Sequence, residues 1–274
     1  MGTMLQSLGL PVGAAPDSWN IDNPTAVKQV HEAYLTAGAQ MILTNTFGCN
    51  AKRIRHGTYS AAELAQAGVR IAREAVKQAG RTDCMVALDI GPLGVFLEPL
   101  GELSPEEAEQ IFAEPISSAA AEADCILIET MCDATEAAAA VRAAKAHGGA
   151  IPVYCTLSFD RKGRLLTGTD IATAVAILEE AGADGVGCNC GMGPKQVVEL
   201  LPQFQAAAHV PILMSPNAGM PEMKNGQACY NLTPAEFAEE MHILFEQGVW
   251  GLGGCCGTTP AHIRAMMERC HNLK

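Results

Sequence analysis

Four cysteines stand in two closely spaced pairs, an arrangement that suits metal binding. Cys188 and Cys190 flank one residue, and Cys255 and Cys256 are adjacent within the glycine-rich segment GLGGCCGTTP (251–260). Neighbouring side chains on a regular strand point to opposite faces, so two adjacent thiols can face one point only where the strand breaks. Glycine permits such a break, because it adopts backbone conformations that other residues avoid. We interpret the adjacent pair as two thiols aimed at one metal ion.

Zinc is the metal that this set of ligands predicts. Thiolates are soft ligands, and a catalytic zinc site holds three protein ligands and one open position. Cys190, Cys255 and Cys256 would supply the three, whereas Cys188 is either a fourth ligand or a core residue one layer below. A zinc ion with three thiolates is a weak Lewis acid, better suited to holding a further thiolate in its nucleophilic form. The cluster therefore predicts transfer of an electrophilic group, such as methyl, to a substrate sulfur.

Short apolar runs alternate with helical patterns along the whole chain, which predicts a single domain over residues 1–274. The runs lack a clean apolar and polar alternation, as expected for parallel strands buried on both faces. This order predicts a (β/α)8 TIM barrel with its first strand absent. An open doubly wound sheet is the alternative, but no G-x-G-x-x-G follows an early strand. The strand candidates are 39–47, 85–92, 124–131, 151–159, 184–190, 211–219 and 249–256, and helix candidates include 23–38, 61–80, 104–123, 133–149, 233–248 and 259–270.

Polar side chains follow several of these apolar strands, at the positions where a barrel builds its active site. Glu129 ends the apolar run CILI and is predicted to contact a substrate. Asp89 either contacts the substrate or caps the turn that follows it. Asn45 and Asn217 either contact the substrate or hold their loops, as asparagine often does. The predicted site thus combines thiols with carboxylates and amides.

The overall composition argues against several kinds of partner. The 274 residues include 18 Lys and Arg against 30 Asp and Glu, and the net charge of −12 argues against a nucleic-acid surface. No window approaches the roughly 18 apolar residues of a membrane span, and the N-terminus lacks the pattern of a secretory signal. The 11 cysteines are an odd number scattered through apolar strands, which favours buried thiols and metal ligands over disulfides. We therefore expect a cytoplasmic protein without a membrane or nucleic-acid partner.

The motifs around the cysteines resemble those of the zinc-dependent homocysteine S-methyltransferases. They are G-x-N-C-x-x-G-P at 187–194 and GGCCGT at 253–258. Three further segments look most similar to the homocysteine-binding domain of cobalamin-dependent methionine synthase, namely TNTFGCN (44–50), IETMCD (128–133) and PNAGMP (216–221). The resemblance covers nearly the whole chain.

This resemblance implies a TIM barrel that binds zinc through the same three cysteines and transfers methyl to the thiol of homocysteine, forming methionine. It also implies that Glu129 contacts the amino group of homocysteine. The backbone around Gly2 and Thr3 would approach the amino-acid end of that substrate. The implied methyl donor is a corrinoid, methylcobalamin, carried by a separate protein.

The N-terminus departs from the pattern of this family. Its members begin with an apolar strand that ends in D-G-A-M-G-T, whereas this chain starts at the M-G-T. Either the start is truncated or misassigned, or the barrel is open beside 39–47 and 249–256. An open barrel would expose two sheet edges, a feature that recruits a partner or an oligomer, or causes aggregation. Three other functions stay open. They are methyl transfer from a small molecule such as S-methylmethionine, a non-catalytic subunit that binds zinc and homocysteine, and a phosphate-binding TIM-barrel enzyme that uses GLGG and the helix start after it.

Overall fold

A curled sheet of seven parallel strands forms the centre of the protein. The computed structural model describes residues 1–54, 58–220, 222–224 and 227–271. The seven strands pair with one another in chain order, and a short antiparallel hairpin forms a separate sheet. The strands of the main sheet are β1 (Met41–Leu43), β2 (Met85–Ile90), β3 (Cys125–Met131), β4 (Val153–Leu157), β5 (Gly185–Asn189), β6 (Ile212–Ser215) and β9 (Gly251–Leu252), and those of the hairpin are β7 (Glu222–Lys224) and β8 (Gln227–Cys229).

A helix follows each strand of the main sheet and packs on its outer face. Ser104 and Thr233 begin two of these helices with a capping box, in which the hydroxyl oxygen accepts the N–H of a glutamate three residues on. That glutamate in turn accepts the N–H of the capping residue, so two otherwise unpaired donors are satisfied. The helices are α1 (Gly2–Ser7), α2 (Trp19–Asp22), α3 (Pro24–Thr36), α4 (Ala61–Gln78), α5 (Pro105–Ala119), α6 (Ala134–His147), α7 (Ile171–Glu180), α8 (Pro194–Ala207), α9 (Pro234–Glu246) and α10 (Pro260–His271).

The barrel predicted from the sequence, one strand short, is confirmed. Each of the seven strand candidates contains one strand of the main sheet, whereas the β7–β8 hairpin was not predicted. Within the described residues, β1 pairs only with β2 and β9 only with β6. Helices α3 and α10 nevertheless contact each other, and the Tyr34 hydroxyl of α3 donates at 2.8 Å to the carbonyl of Thr258, two residues before α10. The ring of helices therefore closes beside an interruption in the ring of strands.

Two apolar layers lie on the two faces of this sheet. The outer layer is filled by helix residues such as Phe112, Phe204 and Phe237, all fully buried. The inner layer is smaller and contains Cys125, Leu127, Tyr154 and other strand residues. Because side chains on a strand alternate with a period of two, the parity of a residue number within each strand decides which layer it joins. None of the helices in the described part of the chain is long and apolar enough to cross a membrane.

Candidate active site

Three cysteine sulfurs converge at the carboxyl ends of β5 and β9. Cys190 directly follows β5, and Cys255 and Cys256 lie in the turn after β9. The Sγ atoms of the three residues all lie within 4.8 Å of one another, and those of Cys190 and Cys256 are 3.9 Å apart. Cys190 has a φ of 61°, a left-handed conformation that side chains rarely adopt. Gly257, directly after Cys256, also has a positive φ of 79°, so the backbone turns sharply after each of the two strands and the thiols share one point.

The spacing of one pair of these sulfurs fits a zinc ion. Tetrahedral zinc with Zn–S bonds of about 2.3 Å places its sulfur ligands about 3.8 Å apart. The separation of 3.9 Å between Cys190 and Cys256 is close to that value. Cys188 lies apart from the cluster, because its side chain is buried in the outer core with its sulfur 3.3 Å from the Met214 sulfur. The core alternative for Cys188 is therefore the one that the structure supports.

Hydrogen bonds from the loop after β6 fix the turn that carries the two adjacent cysteines. The Cys255 N–H donates to the Pro216 carbonyl at 2.8 Å, and the Cys256 N–H donates to Oδ1 of Asn217 at 3.1 Å. The Ala218 N–H donates in turn to the Cys256 carbonyl at 3.0 Å. Asn217 therefore holds the cysteine turn in place, one of its two predicted roles. Pro221, the last residue of the PNAGMP segment, lies outside the described residues.

Hydrogen bonds among the three thiols shift the pKa values of Cys255 and Cys256 in opposite directions. Hydrogen bonds from Cys190 and Cys255 lower the pKa of Cys256 well below its usual range. The pKa of Cys255 is raised for two reasons. Its thiol donates hydrogen bonds to Cys190 and Cys256, and burial penalises its charged form. A metal cation at this point would stabilise all three thiolates, and binding would release the remaining protons. Metal affinity should therefore rise with pH.

Two carboxylates face the inside of the barrel beside the thiols. Asp89 lies two residues after Ala87 on β2, and Glu129 lies two residues after Leu127 on β3. Ala87 and Leu127 belong to the inner layer, so Asp89 and Glu129 face the inside of the barrel as well. Asp89 is only 4% exposed, and its Oδ1 has no hydrogen-bond partner among the described residues. Burial raises the pKa of Glu129 to about 7, and burial and the charge of Glu129 together raise the pKa of Asp89. A cationic group would relieve both penalties, so this part of the site suits an ammonium group.

The first residues of the chain reach the same region. Gly2 and Thr3 form the first turn of α1, which begins near Asp89 and Glu129. The contact between a substrate and the backbone at Gly2 and Thr3 remains a prediction. Asn45 donates from Nδ2 to the Pro16 carbonyl and to Oδ1 of Asn20, at 2.7 Å and 2.9 Å. These bonds favour the loop-holding role of Asn45 over a substrate contact.

Two residues near the thiols were not predicted to act in the site. Asn189 was noted in the sequence as a polar residue at a strand end but was given no role, yet its side chain contacts both Glu129 and Cys255. Tyr230 follows the unpredicted hairpin, and its hydroxyl helps to lower the pKa of Cys256. A signal for Asn189 was present, since it lies between two cysteines at a strand end. No comparable signal marks Tyr230.

The start of α10 offers less to a phosphate group than the sequence suggested. The N–H of Thr259 donates to Nδ1 of His262 at 3.2 Å, and the Thr259 hydroxyl lies 2.9 Å from the same nitrogen. Nε2 of His262 lies 2.9 Å from the Leu232 carbonyl oxygen, which fixes the imidazole. The polar groups of this helix start are therefore bonded within the chain.

A buried glutamate at the barrel mouth makes the stability of the protein depend on pH. Glu136 is 5% exposed and accepts the Leu93 N–H at 2.7 Å, and burial raises its pKa to about 7. Because the folded chain binds this proton more tightly than the unfolded chain, the free energy of unfolding falls as the pH rises from about 4.5 to about 7. Glu136→Gln keeps the acceptor oxygen and removes the titration. We expect the variant to be about 2 kcal/mol more stable than wild type at pH 8 and to show a shallower slope between pH 5 and 7.

Urea denaturation of wild type and Glu136→Gln at pH 5, 6, 7 and 8 measures this difference. Glu63→Gln is the matched control, since Glu63 is exposed at the start of α4 and its pKa is lowered, not raised. A difference between wild type and Glu136→Gln that stays constant over this pH range would contradict the prediction.

The fold and the thiols together define a class of protein, the (β/α) barrels that carry at the mouth a cluster of three cysteines able to hold a metal ion. Residues 1–270 match the family described as homocysteine S-methyltransferase, and the chain belongs to this family. It is 34% identical to methionine synthase of Mycobacterium tuberculosis over its whole length and 34% identical to methionine synthase of Mycobacterium leprae over 99% of it. The chain spans about a quarter of the length of these relatives, 24% in each case.

A solved structure confirms the architecture. The metallated form of the homocysteine methyltransferase MmuM from Escherichia coli superimposes with a TM-score of 0.83. The match covers 98% of this chain and 93% of that one at 21% sequence identity. At this level of identity the match supports the barrel fold, and the family assignment rests on the sequence.

Proposed function

We propose that this chain is a zinc-dependent homocysteine S-methyltransferase barrel, a single domain over residues 1–274 that transfers a methyl group to the thiol of homocysteine and forms methionine. The observation that carries this proposal is the convergence of three thiols within 4.8 Å, next to the buried carboxylate of Asp89 and the half-buried carboxylate of Glu129. Family membership supports the same reaction.

Cys190, Cys255 and Cys256 would hold the zinc ion, because their sulfurs match its preferred ligands and spacing. When bound, the metal would keep the sulfur of homocysteine in the thiolate form that attacks a methyl group. The hydrogen bonds to the backbone of the cysteine turn keep two of these sulfurs aimed at the site before the substrate arrives. This preorganisation lowers the cost of binding.

The carboxylates give the site its preference for an amino acid. Glu129 and Asp89 would bind the ammonium group of homocysteine, which relieves the penalty of their burial and mutual repulsion. The backbone N–H groups of Gly2 and Thr3 would approach the carboxylate end of the substrate. Asn217 acts on the substrate through the cysteine turn that it holds. The distance between the carboxylates and the thiols would then select the length of the substrate.

The methyl donor would be a corrinoid, methylcobalamin, presented by another protein or domain at the mouth of the barrel. The two mycobacterial relatives that support this donor are methionine synthases about four times as long as the chain. In the reaction, the substrate sulfur forms a bond to the methyl carbon, and the donor leaves with the electron pair of the bond that breaks.

Metal content and product formation test this function directly. The protein is purified under reducing conditions, zinc per chain is measured, and homocysteine is added with methylcobalamin as the donor. We expect about one zinc per chain and formation of methionine, detected by mass spectrometry. A folded protein that contains no zinc and takes up none when it is offered would overturn the proposal.

A further inference from the structure

The side chain of Asn189 connects three strands at the centre of the site. It lies at the end of β5 and faces the inside of the barrel. Its Oδ1 accepts the Thr130 N–H of β3 at 2.8 Å and the Thr156 hydroxyl of β4 at 2.9 Å. Its Nδ2 donates to Oγ1 of Thr130 at 2.7 Å. Asn189 is 1% exposed, so this network is shielded from water.

The same amide nitrogen points at both functional ends of the site. Nδ2 of Asn189 lies 3.2 Å from Oε2 of Glu129 and 3.8 Å from Sγ of Cys255. The orientation of the amide is settled by the chain itself, because the Thr130 N–H can only donate and must face the amide oxygen. The NH2 group is therefore the part that faces the carboxylate and the sulfur.

The backbone around Glu129 needs this support. The pairing of β3 with β4 shifts between Ile128 and Met131, so the two residues between them leave the regular ladder. Thr130 has a φ of 63°, a left-handed conformation that is unfavourable for a residue with a branched side chain. Bulges of this kind redirect side chains next to functional sites. Asn189 satisfies the polar groups that the bulge leaves unpaired.

We propose that Asn189 is a positioning residue that aligns the amino-group contact at Glu129 with the sulfur contact at Cys255. This inference rests on the proposed function, since it assumes that one substrate spans both groups. Asn189 forms hydrogen bonds to Thr130 in the bulge, which orients the neighbouring Glu129. Its NH2 group also contacts Sγ of Cys255. Asn189 therefore fixes the distance between Glu129 and Cys255. Its loss should weaken recognition of the amino group while the three thiols remain in place.

The test compares two thiols in protein loaded with cobalt(II), whose thiolate charge-transfer absorption reports on the metal site. Homocysteine and 4-mercaptobutyrate differ only in the amino group, so the ratio of their dissociation constants measures recognition of that group. We expect wild type to prefer homocysteine, and Asn189→Ala and Asn189→Asp to lose at least about tenfold of that preference with the cobalt stoichiometry unchanged. Thr156→Val is the matched control, because it removes a bond to the amide oxygen and leaves the NH2 group untouched; its ratio should stay within about twofold of wild type.

The outcomes separate this inference from the proposed function. A wild-type protein that binds no cobalt, or does not prefer homocysteine, overturns the proposed function and this inference with it. A wild type with the expected preference, together with Asn189 variants that keep it, overturns the inference alone. Asn189→Asp has nearly the shape of the native residue, so it decides the question if Asn189→Ala does not fold.

Discussion

Serine in place of Cys256 is expected to reduce bound zinc to less than about a tenth of an equivalent per chain and methyl transfer by at least about a thousandfold. A serine hydroxyl is a harder ligand than a thiolate and keeps its proton near neutral pH, so it does not replace the lost sulfur. Cys256 is also the thiol on which the other two converge as hydrogen-bond donors. Zinc analysis and an assay of methionine formation, on protein whose folding is checked by circular dichroism, measure the two effects.

Cys188→Ala is the matched control for this experiment. Cys188 lies two residues before Cys190, but its sulfur packs against the Met214 sulfur in the outer core. The variant should keep about one zinc per chain and lose about 1 kcal/mol of stability through reduced packing. Zinc lost from Cys188→Ala, or full zinc and activity in Cys256→Ser, would contradict the assignment of the ligands.

The thiol cluster could be predicted from the sequence because it depends on two rules that act locally. Parallel strands of a barrel place their carboxyl ends on one rim, and glycines beside the cysteines permit the strand to break. These rules bring Cys190 and Cys256 together although 66 residues separate them. The apolar runs and their alternation with helices predicted the barrel, and with it the rim where the cysteines meet.

The network around Asn189 could not be predicted in the same way. It depends on a register shift between β3 and β4, which no local pattern in the sequence announces. It also depends on which atoms of three strands fall within hydrogen-bond distance, and the contact with Thr130 joins residues 59 positions apart. Sequence patterns specify which face a side chain occupies, whereas such contacts depend on a fraction of an ångström in the packing of the strands.

The β7–β8 hairpin was missed for a different reason. An Asn-Gly dipeptide at 225–226 separates the two strands, and this pair is the strongest short signal of a hairpin. The flanking segments 222–224 and 227–229 are too short and too polar for the apolar run that identified the other strands. The error lay in requiring hydrophobicity of every strand, which holds for a buried parallel sheet and not for a hairpin beside it. Tyr230 was missed with the hairpin because it directly follows β8.

Glutamine in place of Glu129 is expected to raise the KM for homocysteine by about 10- to 100-fold with little change in kcat. The substitution removes the charge that pairs with the ammonium group, and a hydrogen bond to a charged group contributes roughly 1.5–3 kcal/mol. The three thiols should stay in place, since hydrogen bonds from the loop after β6 hold the turn that carries two of them. Zinc content should therefore stay at about one per chain. Steady-state kinetics with varied homocysteine and a saturating methyl donor separate the two constants.

Glu136→Gln serves as the matched control, because it exchanges another buried glutamate, seven positions along the chain, whose carboxylate bonds the Leu93 N–H and not the site. Its KM should stay within about twofold of wild type, since surface and core changes away from a site seldom move binding further. An unchanged KM in Glu129→Gln would contradict the assignment of the amino-group contact. A fall in kcat with a constant KM would instead place Glu129 in the methyl-transfer step, since that pattern reports an interaction made only in the transition state.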